Sequence, residues 1–283
     1  MVEFNHTVGF IGAGNMGEAI IGAVLTSGLL PASMIHIADA DADRRAFLTE
    51  KYGVVNLNSN VTLFETCRVV FLAVKPQQMP GILEELSGRN GYRVPDRKLI
   101  ISIAAGFPIH KIERALYPPL DEEDINNLPI IRVMPNTPAL VLCAVSGMSP
   151  NRFATPEDIR LAQNLLAAIG AVIGFDEEEL DAVAALSGSG PAYVFYLVES
   201  LIEAGTKVGL DPDDAATLAI KTLRGAIKLL EASGESPRDL RRKVTSPGGT
   251  TEAAIDVFES RGFKKTVVEA IAAATQRARD LSG

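Results

Sequence analysis

The stretch "VGFIGAGNMGEAI", residues 8–20, decides the fold. It holds three glycines in the order G-x-G-x-x-G, directly after an apolar run and directly before a helix-like segment. Gly12 permits a tight turn, Gly14 lets the backbone approach a pyrophosphate, and Gly17 allows close packing of helix against strand. The N-terminus of the helix attracts the phosphate charge. In this context the motif predicts a dinucleotide-binding βαβ unit, and a glycine-rich turn without a ligand is the alternative.

An acidic residue ends the second predicted strand. Asp39 lies 22 residues after Gly17, where a carboxylate accepts a hydrogen bond from the adenosine ribose. Asp41 adds a second carboxylate, and two negative charges repel a 2′-phosphate. Arg44 and Arg45 could turn back and pair with such a phosphate, but we interpret them as the solvated first turn of a helix. We therefore expect NAD(P)H as the cofactor, with a slight preference for NADH.

Short apolar runs alternate with helical patterns through the first half of the chain. Continuous apolar strands between helices predict a parallel sheet covered on both faces, and hence an α/β fold of the Rossmann type. The runs are "TVGFIG" (7–12), "MIHIAD" (34–39), "VVFLAV" (69–74), "KLIISIA" (98–104), "IIRVMP" (130–135) and "AVIGFD" (171–176).

The second half has helical periodicity only. We therefore predict a dinucleotide-binding domain over residues 1–176 and an all-helical domain over residues 177–283. The segment "PAYVFYLVESLIEAGTKVGL" (191–210) carries charges only at Glu199, Glu203 and Lys207, which form one narrow solvated stripe on a helix. Because every other face is apolar, we predict that this helix lies at a subunit interface. The alternative is the central helix of a monomeric bundle.

Composition excludes several classes of protein. The chain has 283 residues, is 47% hydrophobic and carries a net charge of −8, which argues against binding nucleic acid or an anionic membrane. Its two cysteines, Cys67 and Cys143, form no metal or disulfide pattern, which is typical of a reducing cytoplasm. The N-terminus has no basic leader region, and the longest apolar stretch, 191–198, is too short to span a bilayer. Three scattered histidines indicate neither a metal site nor a serine–histidine–aspartate triad.

Five further fragments, with the glycine motif and in this order, closely resemble the pyrroline-5-carboxylate reductase family from Val8 to roughly Arg279. The resemblance implies a Rossmann domain followed by a helical dimerisation domain, with the helices of two protomers interleaved and dimers able to form larger rings. It also implies NAD(P)H-dependent reduction of 1-pyrroline-5-carboxylate to L-proline. The fragments are "FLAVKPQ" (71–77), "ISIAAG" (101–106), "RVMPNTPALV" (132–141), "LSGSGPAYVF" (186–195) and "VTSPGGTTEAAI" (244–255).

The resemblance also implies the site residues. The substrate is expected to lie against the 246–251 loop, through Ser246, Gly248, Gly249, Thr250 and Thr251. The cofactor is expected to contact Ile11, Gly12, Ala13, Gly14, Asn15, Met16, Asp39, Asp41, Asn60, Ala73, Val74, Lys75, Pro76, Ile103, Ala104 and Ala105.

The chain departs from the family after "MPNTPALV". There "LCAVSG" replaces a turn of the glycine–glutamate–glycine type, and Cys143 stands where a glutamate or similar residue is frequent. The segment lies near the predicted domain junction. The substrate loop is intact, so the assignment of the reaction does not depend on this segment.

The chemistry of the 246–251 loop suits a substrate with a carboxylate and a ring nitrogen. The backbone amides of Gly248, Gly249 and Thr250 lie at a predicted helix N-terminus, where the dipole favours an anion. Thr251 supplies a hydroxyl that could orient the ring nitrogen and relay a proton, and we predict it as the catalytic residue. Catalysis would then consist of orientation and charge stabilisation without a general base. The alternative is an ordinary helix cap with Glu252 in the first turn.

Two other functions remain open. A β-hydroxyacid dehydrogenase, or another imine reductase, shares the two-domain plan. The dehydrogenases need a lysine on the helix after a similar glycine motif, and Val194 occupies that position here. A non-catalytic dinucleotide sensor would have no use for the substrate loop.

Overall fold

The computed structural model describes residues 6–283. The expectation that the N-terminus is not a signal peptide rests partly on residues 1–5, which lie outside that range. The chain divides into two compact units, of which one runs to Gly188 and also includes Thr275–Gly283, and the other is Ser189–Ala274. The predicted domain boundary after residue 176 stays a prediction, because compactness and independent folding are different properties.

One sheet of eight strands forms the first unit, in the order β3-β2-β1-β4-β5-β6-β7-β8. From β3 to β6 all pairs are parallel, which is the strand order of a dinucleotide-binding fold and confirms the predicted α/β class. The strands are β1 (Val8–Ile11), β2 (Ile35–Ala38), β3 (Val55–Asn56), β4 (Val69–Leu72), β5 (Leu99–Ser102), β6 (Ile130–Met134), β7 (Ala144–Pro150) and β8 (Gly170–Gly174).

The expectation of a wholly parallel sheet is wrong at β7, which runs antiparallel to β6 with Arg132 opposite Ser149. Residues 135–143 join the two strands, and this connection is shorter than the dozen or more residues that a parallel crossover needs. The sequence analysis missed β7 because "AVSGMSP" mixes small and polar residues and has no apolar run. It also missed β3, which is only two residues long.

Two hydrophobic cores lie on opposite faces of the sheet. Because side chains alternate along a strand, Phe71 of β4 joins one core while Val70 and Leu72 join the other. Phe10 stacks on Phe71 with ring centroids 4.7 Å apart, so the two central strands are tied by an aromatic pair. The covering helices are α1 (Asn15–Thr26), α2 (Ala42–Tyr52), α3 (Asn60–Thr66), α4 (Met79–Ser87), α5 (Ile109–Leu116), α6 (Glu122–Asn126), α7 (Pro156–Ala167) and α8 (Leu180–Val183).

The second unit is helical, as predicted for the chain after residue 177. Its first helix keeps its large apolar side chains exposed, with Phe195 64% and Tyr196 72% exposed. None of the helices within residues 6–283 has the length and apolar content needed to cross a bilayer. The helices are α9 (Gly190–Lys207), α10 (Pro212–Ser233), α11 (Pro237–Lys243), α12 (Thr250–Ser260) and α13 (Phe263–Ser282), the last of which ends in the first unit.

A buried lysine precedes β5 at the amino edge of the sheet. Lys98 is 9% exposed, and its ammonium donates a hydrogen bond to the carbonyl oxygen of Cys67. Within residues 6–283 no carboxylate forms an ion pair with it. Burial lowers the pKa of Lys98 to about 8. Burial also raises the pKa of the neighbouring Cys67 thiol to about 11.

These two groups predict a pH dependence of stability with opposite signs. The pKa of Lys98 is lower in the folded chain than in the unfolded chain, so the unfolded chain binds more protons and stability rises with pH above about 8. The pKa of Cys67 is raised on folding, so its contribution falls as pH rises between its unfolded value, about 8.5, and about 11. From pH 8 to pH 9, Lys98 alone raises the free energy of unfolding by about 1 kcal/mol and Cys67 lowers it by about 0.7 kcal/mol, so we expect a net rise of about 0.3 kcal/mol.

Urea unfolding at pH 7, 8 and 9 measures this rise. Lys98→Met should turn it into a fall of about 0.7 kcal/mol from pH 8 to pH 9, because methionine keeps the apolar stem and does not titrate, whereas Cys67 still does. The control Arg160→Gln changes an exposed cation on α7 and should retain the rise. An equal rise in Lys98→Met would assign the pH dependence to another group.

Candidate functional site

A cavity of about 610 Å³ opens at the carboxyl ends of β1, β2 and β4. Ligands of open α/β sheets bind at this edge, where the connections leave the strands. The cavity joins residues from four separate parts of the sequence, and eight of the predicted cofactor residues line it: Gly12, Gly14, Asp39, Asp41, Asn60, Ala73, Val74 and Lys75.

The other eight predicted cofactor residues do not line this cavity. Ile11 and Ala13 are fully buried, and Asn15 and Met16 begin α1. Pro76 opens a short 3-10 turn after β4. The loop 103–105 follows β5, and the amide of Ile103 donates to the carbonyl oxygen of Leu72 at 3.1 Å. That bond holds this loop beside the end of β4.

The three motif glycines differ in their surroundings. Gly12 has a φ of +84°, and a Cβ on it would lie 2.6 Å from Cγ1 of Val74. A Cβ on Gly17 would lie 3.2 Å from the carbonyl oxygen of Gly12. Gly14 is exposed, and a Cβ on it would meet no atom within 4 Å. Gly12 therefore serves the tight turn, and Gly17 serves the packing of α1. Gly14 leaves space for a ligand, as a dinucleotide pyrophosphate requires.

Asp39 is fixed at the mouth of the cavity by the backbone of its own loop and of the glycine loop. Its Oδ2 accepts a hydrogen bond from the amide of Ala13 at 2.7 Å, and its Oδ1 accepts one from the amide of Asp41 at 2.9 Å. Each carboxylate oxygen keeps acceptor capacity for a ribose hydroxyl. The side chain is therefore positioned before any ligand binds.

The interpretation of Arg44 and Arg45 as solvated side chains is wrong. Both are half-buried and line the cavity. Arg44 donates to the carbonyl oxygen of Ala13 at 2.7 Å and pairs with Glu18 at 2.5 Å. Arg45 donates to the carbonyl oxygen of Asp39. Burial raises the pKa of Glu18, but hydrogen bonds from Lys51 and Arg44 outweigh it and hold that pKa below its ordinary value.

Asn60, which the sequence analysis named, and several residues that it did not name complete the wall. Asn60 donates to Oε2 of Glu85 at 2.8 Å, which ties the start of α3 to α4. Ser59 caps α3 by accepting a hydrogen bond from the amide of Thr62 at 3.3 Å. In the sequence, the polar run "NLNSN" at 56–60 is the one feature that could have indicated these residues. The added residues are Ala38, Ala40, Asn58, Ser59, Gln78, Ile82 and Glu85.

The predicted substrate loop lies in the second unit and leads into α12. Gly248 has a φ of +72°, and its amide donates to Oε2 of Glu252 at 2.6 Å. The amide of Gly249 donates to the carbonyl oxygen of Ser246 at 3.0 Å. The expectation of three open amides is therefore wrong for Gly248 and Gly249, and the capping role of Glu252 is present.

The first turn of α12 keeps other donors open. Among the described residues, the amides of Thr250 and Thr251 have no hydrogen-bond partner, as is usual at a helix N-terminus. The hydroxyl of Thr251, which is half-buried, makes no hydrogen bond within residues 6–283 either. Two amides and one hydroxyl therefore remain available for an anion with a polar neighbour.

Two protein families match parts of the chain. The profile described as pyrroline-5-carboxylate reductase dimerisation matches residues 177–281. The profile described as NADP oxidoreductase, coenzyme F420-dependent, matches residues 7–106. The first half of the chain therefore carries a pyridine-nucleotide-binding fold, and the second half carries an oligomerisation domain.

Similar proteins cover nearly the whole chain. A pyrroline-5-carboxylate reductase of Pseudomonas aeruginosa is 39% identical over 97% of this chain and 96% of its own. One from Pisum sativum is 39% identical over 98% and 97%. A solved pyrroline-5-carboxylate reductase of Coxiella burnetii superposes with a TM-score of 0.89 at 35% identity, covering 99% of this chain and 100% of its own. A Plasmodium falciparum pyrroline carboxylate reductase with NADP bound gives 0.84 at 28% identity, with 99% of each chain covered.

These matches extend over both units. Identity above 30% across almost the full length of both chains exceeds what a shared dinucleotide fold alone requires. This chain belongs to the pyrroline-5-carboxylate reductase family.

Proposed function

We infer that this protein reduces 1-pyrroline-5-carboxylate to L-proline with a pyridine nucleotide, the last step of proline biosynthesis. The observation that carries this inference is the similarity of nearly the whole chain to pyrroline-5-carboxylate reductases. The β-hydroxyacid dehydrogenase alternative lacks its lysine, because Val194 on α9 has no amine. A non-catalytic sensor would leave the open donors of Thr250 and Thr251 without a purpose.

The residues around the first cavity fit a dinucleotide. The glycine loop and the N-terminus of α1 hold the pyrophosphate, and the Asp39 carboxylate accepts a hydrogen bond from the adenosine ribose. The loops at 73–76 and 103–105 hold the nicotinamide half. When bound, NAD(P)H supplies the hydride for the reduction. The remaining predicted contacts, including Ile11, Asn15 and Met16, are part of the same proposal.

The loop before α12 binds the substrate in this proposal. The open amides of Thr250 and Thr251 and the hydroxyl of Ser246 hold the substrate carboxylate at the positive end of the helix dipole. Gly248 and Gly249 keep the loop free of side chains that would block this approach. The Glu252 carboxylate leaves the amide of Gly248 when a second anion enters, because like charges repel. The Thr251 hydroxyl orients the ring nitrogen and holds its proton.

The assembly that we propose is a homodimer formed through residues 177–283, with dimers joined into a larger ring. Two observations support the dimer: the dimerisation profile over residues 177–281 and the exposed apolar side chains of α9. We also propose a reducing cytoplasm as the location, since Cys67 and Cys143 are both free thiols.

We propose a slight preference for NADH, because the carboxylate of Asp39 lies where a 2′-phosphate would approach and Arg44 is already paired with Glu18. Replacing Asp39 with asparagine keeps an acceptor for Ala13 and removes the charge. A repulsion of about 1–2 kcal/mol is thereby lost, so the ratio of kcat/KM for NADPH to that for NADH should rise about tenfold. Asp43→Asn, at an exposed carboxylate in the first turn of α2, should leave the ratio unchanged. A ratio unchanged by Asp39→Asn would exclude Asp39 as the discriminating group.

The proposed reaction predicts a direct signal. Adding 1-pyrroline-5-carboxylate to the protein and NADH, or NADPH, should decrease the nicotinamide absorbance and yield L-proline. A folded sample that binds dinucleotide but oxidises neither cofactor would overturn the substrate assignment. That result would leave the sensor alternative standing.

A further inference from the structure

A second cavity, of about 550 Å³, lies at the amino ends of β4 and β5. Arg68 and Lys98 directly precede these strands, and the amide of Leu99 donates to the carbonyl oxygen of Arg68 at 2.8 Å. Because the two strands are parallel, this cavity lies at the edge of the sheet opposite the dinucleotide cavity. It is therefore a separate site of the same unit, and the reaction proposed above assigns it no role.

The lining of this cavity is cationic in an acidic protein. The chain as a whole has a net charge of −8. Five basic side chains and two acidic ones line the cavity. They are Arg68, Arg89, Arg93, Arg97 and Lys98 against Glu65 and Asp96.

Three of the five cations are neutralised by carboxylates, and two are not. Arg89 pairs with Glu65 at 3.4 Å, Arg93 with Asp121 at 3.0 Å, and Arg97 with Asp158 at 2.5 Å. Within residues 6–283, Arg68 and Lys98 have no ion-pair partner.

Of these two cations, Lys98 is the stronger indication of a bound anion, because its side chain is nine-tenths buried. A buried ammonium without a counter-ion costs several kcal/mol. One N–H group bonds the carbonyl oxygen of Cys67, and the charge lies 5.0 Å from the centre of the Phe64 ring. An ammonium has three donors, so two remain for a ligand.

We propose that this cavity binds a small, doubly charged oxyanion of the phosphate type between Arg68 and Lys98. A guanidinium and an ammonium together suit such an anion, since the first offers paired donors and the second a compact charge. The aromatic residues nearby, Phe64 and Tyr92, are buried in the core and offer no open ring face for a nucleobase. The site therefore favours a free phosphate over a nucleotide.

Calorimetric titration with inorganic phosphate tests the proposal. The protein is kept with saturating NADH and L-proline, which fill the proposed cofactor and substrate sites, and the ionic strength is held constant. The wild-type chain should bind one phosphate per chain. Arg68→Gln and Lys98→Met should each weaken binding at least tenfold. The matched control Arg160→Gln, at an exposed arginine of α7, should bind as the wild type does.

Three results would overturn the proposal. The first is that the wild-type protein takes up no phosphate, and the second is that both cavity variants bind as tightly as the wild type while their circular dichroism is unchanged. Adenosine monophosphate binding at least tenfold more tightly than phosphate, and depending on Arg68, would reassign the site to nucleotides. None of these results depends on whether the protein reduces 1-pyrroline-5-carboxylate.

Discussion

Replacing Gly14 with alanine is expected to leave the fold intact and to weaken dinucleotide binding about 100-fold. The φ of −65° at this residue suits alanine, and the added Cβ would meet no protein atom within 4 Å. The same Cβ would occupy the space through which a pyrophosphate approaches the loop amides. Losing one charge-assisted hydrogen bond costs about 2–3 kcal/mol, which corresponds to about two decades of affinity.

Gly12→Ala is the matched variant and should behave in the opposite way. At a φ of +84° any side chain is strained, and its Cβ would lie 2.6 Å from Val74 and 2.9 Å from the carbonyl group of Ala73. Backbone strain and overpacking each cost about 1–3 kcal/mol. We therefore expect the free energy of unfolding to fall by about 2–6 kcal/mol, with dinucleotide binding reduced as a consequence.

Urea unfolding and NADH titration by fluorescence separate the two effects. The free energy of unfolding of Gly14→Ala should match that of the wild type to within about 0.5 kcal/mol, since the added methyl group touches no atom of the free protein. Normal NADH affinity in Gly14→Ala would mean that the pyrophosphate does not approach this residue. Equal destabilisation by both substitutions would mean that Gly14 is packed as tightly as Gly12.

Local patterns predicted the parts of the fold whose causes are local. The buried strands β1, β4 and β5 are continuous apolar runs. β7 has no such pattern, because its pairing depends on the short connection from β6 and on small residues that fit between neighbours. A Cβ on Gly147, for example, would lie 2.8 Å from Val183.

The candidate site was predictable where the motif lies on one segment and hidden where distant side chains meet. Glu18 and Arg44 are 26 residues apart, and only the fold brings them into an ion pair. From the sequence alone, Arg44 is interpreted as an unpaired cation in the first turn of a helix. Glu252 is a different case, since it reaches only four residues back to Gly248. The same residue types serve a helix cap and an anion site, so the sequence pattern could not separate the two roles.

Thr251→Ala is expected to lower kcat by 10²–10³-fold while the affinity for NADH stays unchanged. Its hydroxyl has no partner within residues 6–283, so its loss leaves no buried polar group unsatisfied and should change stability by less than about 0.5 kcal/mol. The expected loss of rate is that of one preorganised hydrogen-bonding group, about 2.7–4 kcal/mol. Thr251→Ser restores a hydroxyl and should recover activity to within about tenfold of the wild type.

The division of the effect between kcat and KM tests the role of the hydroxyl. If the amides of Thr250 and Thr251 hold the carboxylate, ground-state binding survives the substitution and KM changes little. The hydroxyl then acts on the ring nitrogen while the C=N bond is reduced, so its loss lowers kcat. Thr266→Ala is the control, because that hydroxyl donates a hydrogen bond to the carbonyl oxygen of Gly262, which directly precedes α13. An unchanged kcat in Thr251→Ala would reduce the loop to a helix cap, and a loss of NADH binding would assign Thr251 to the cofactor instead.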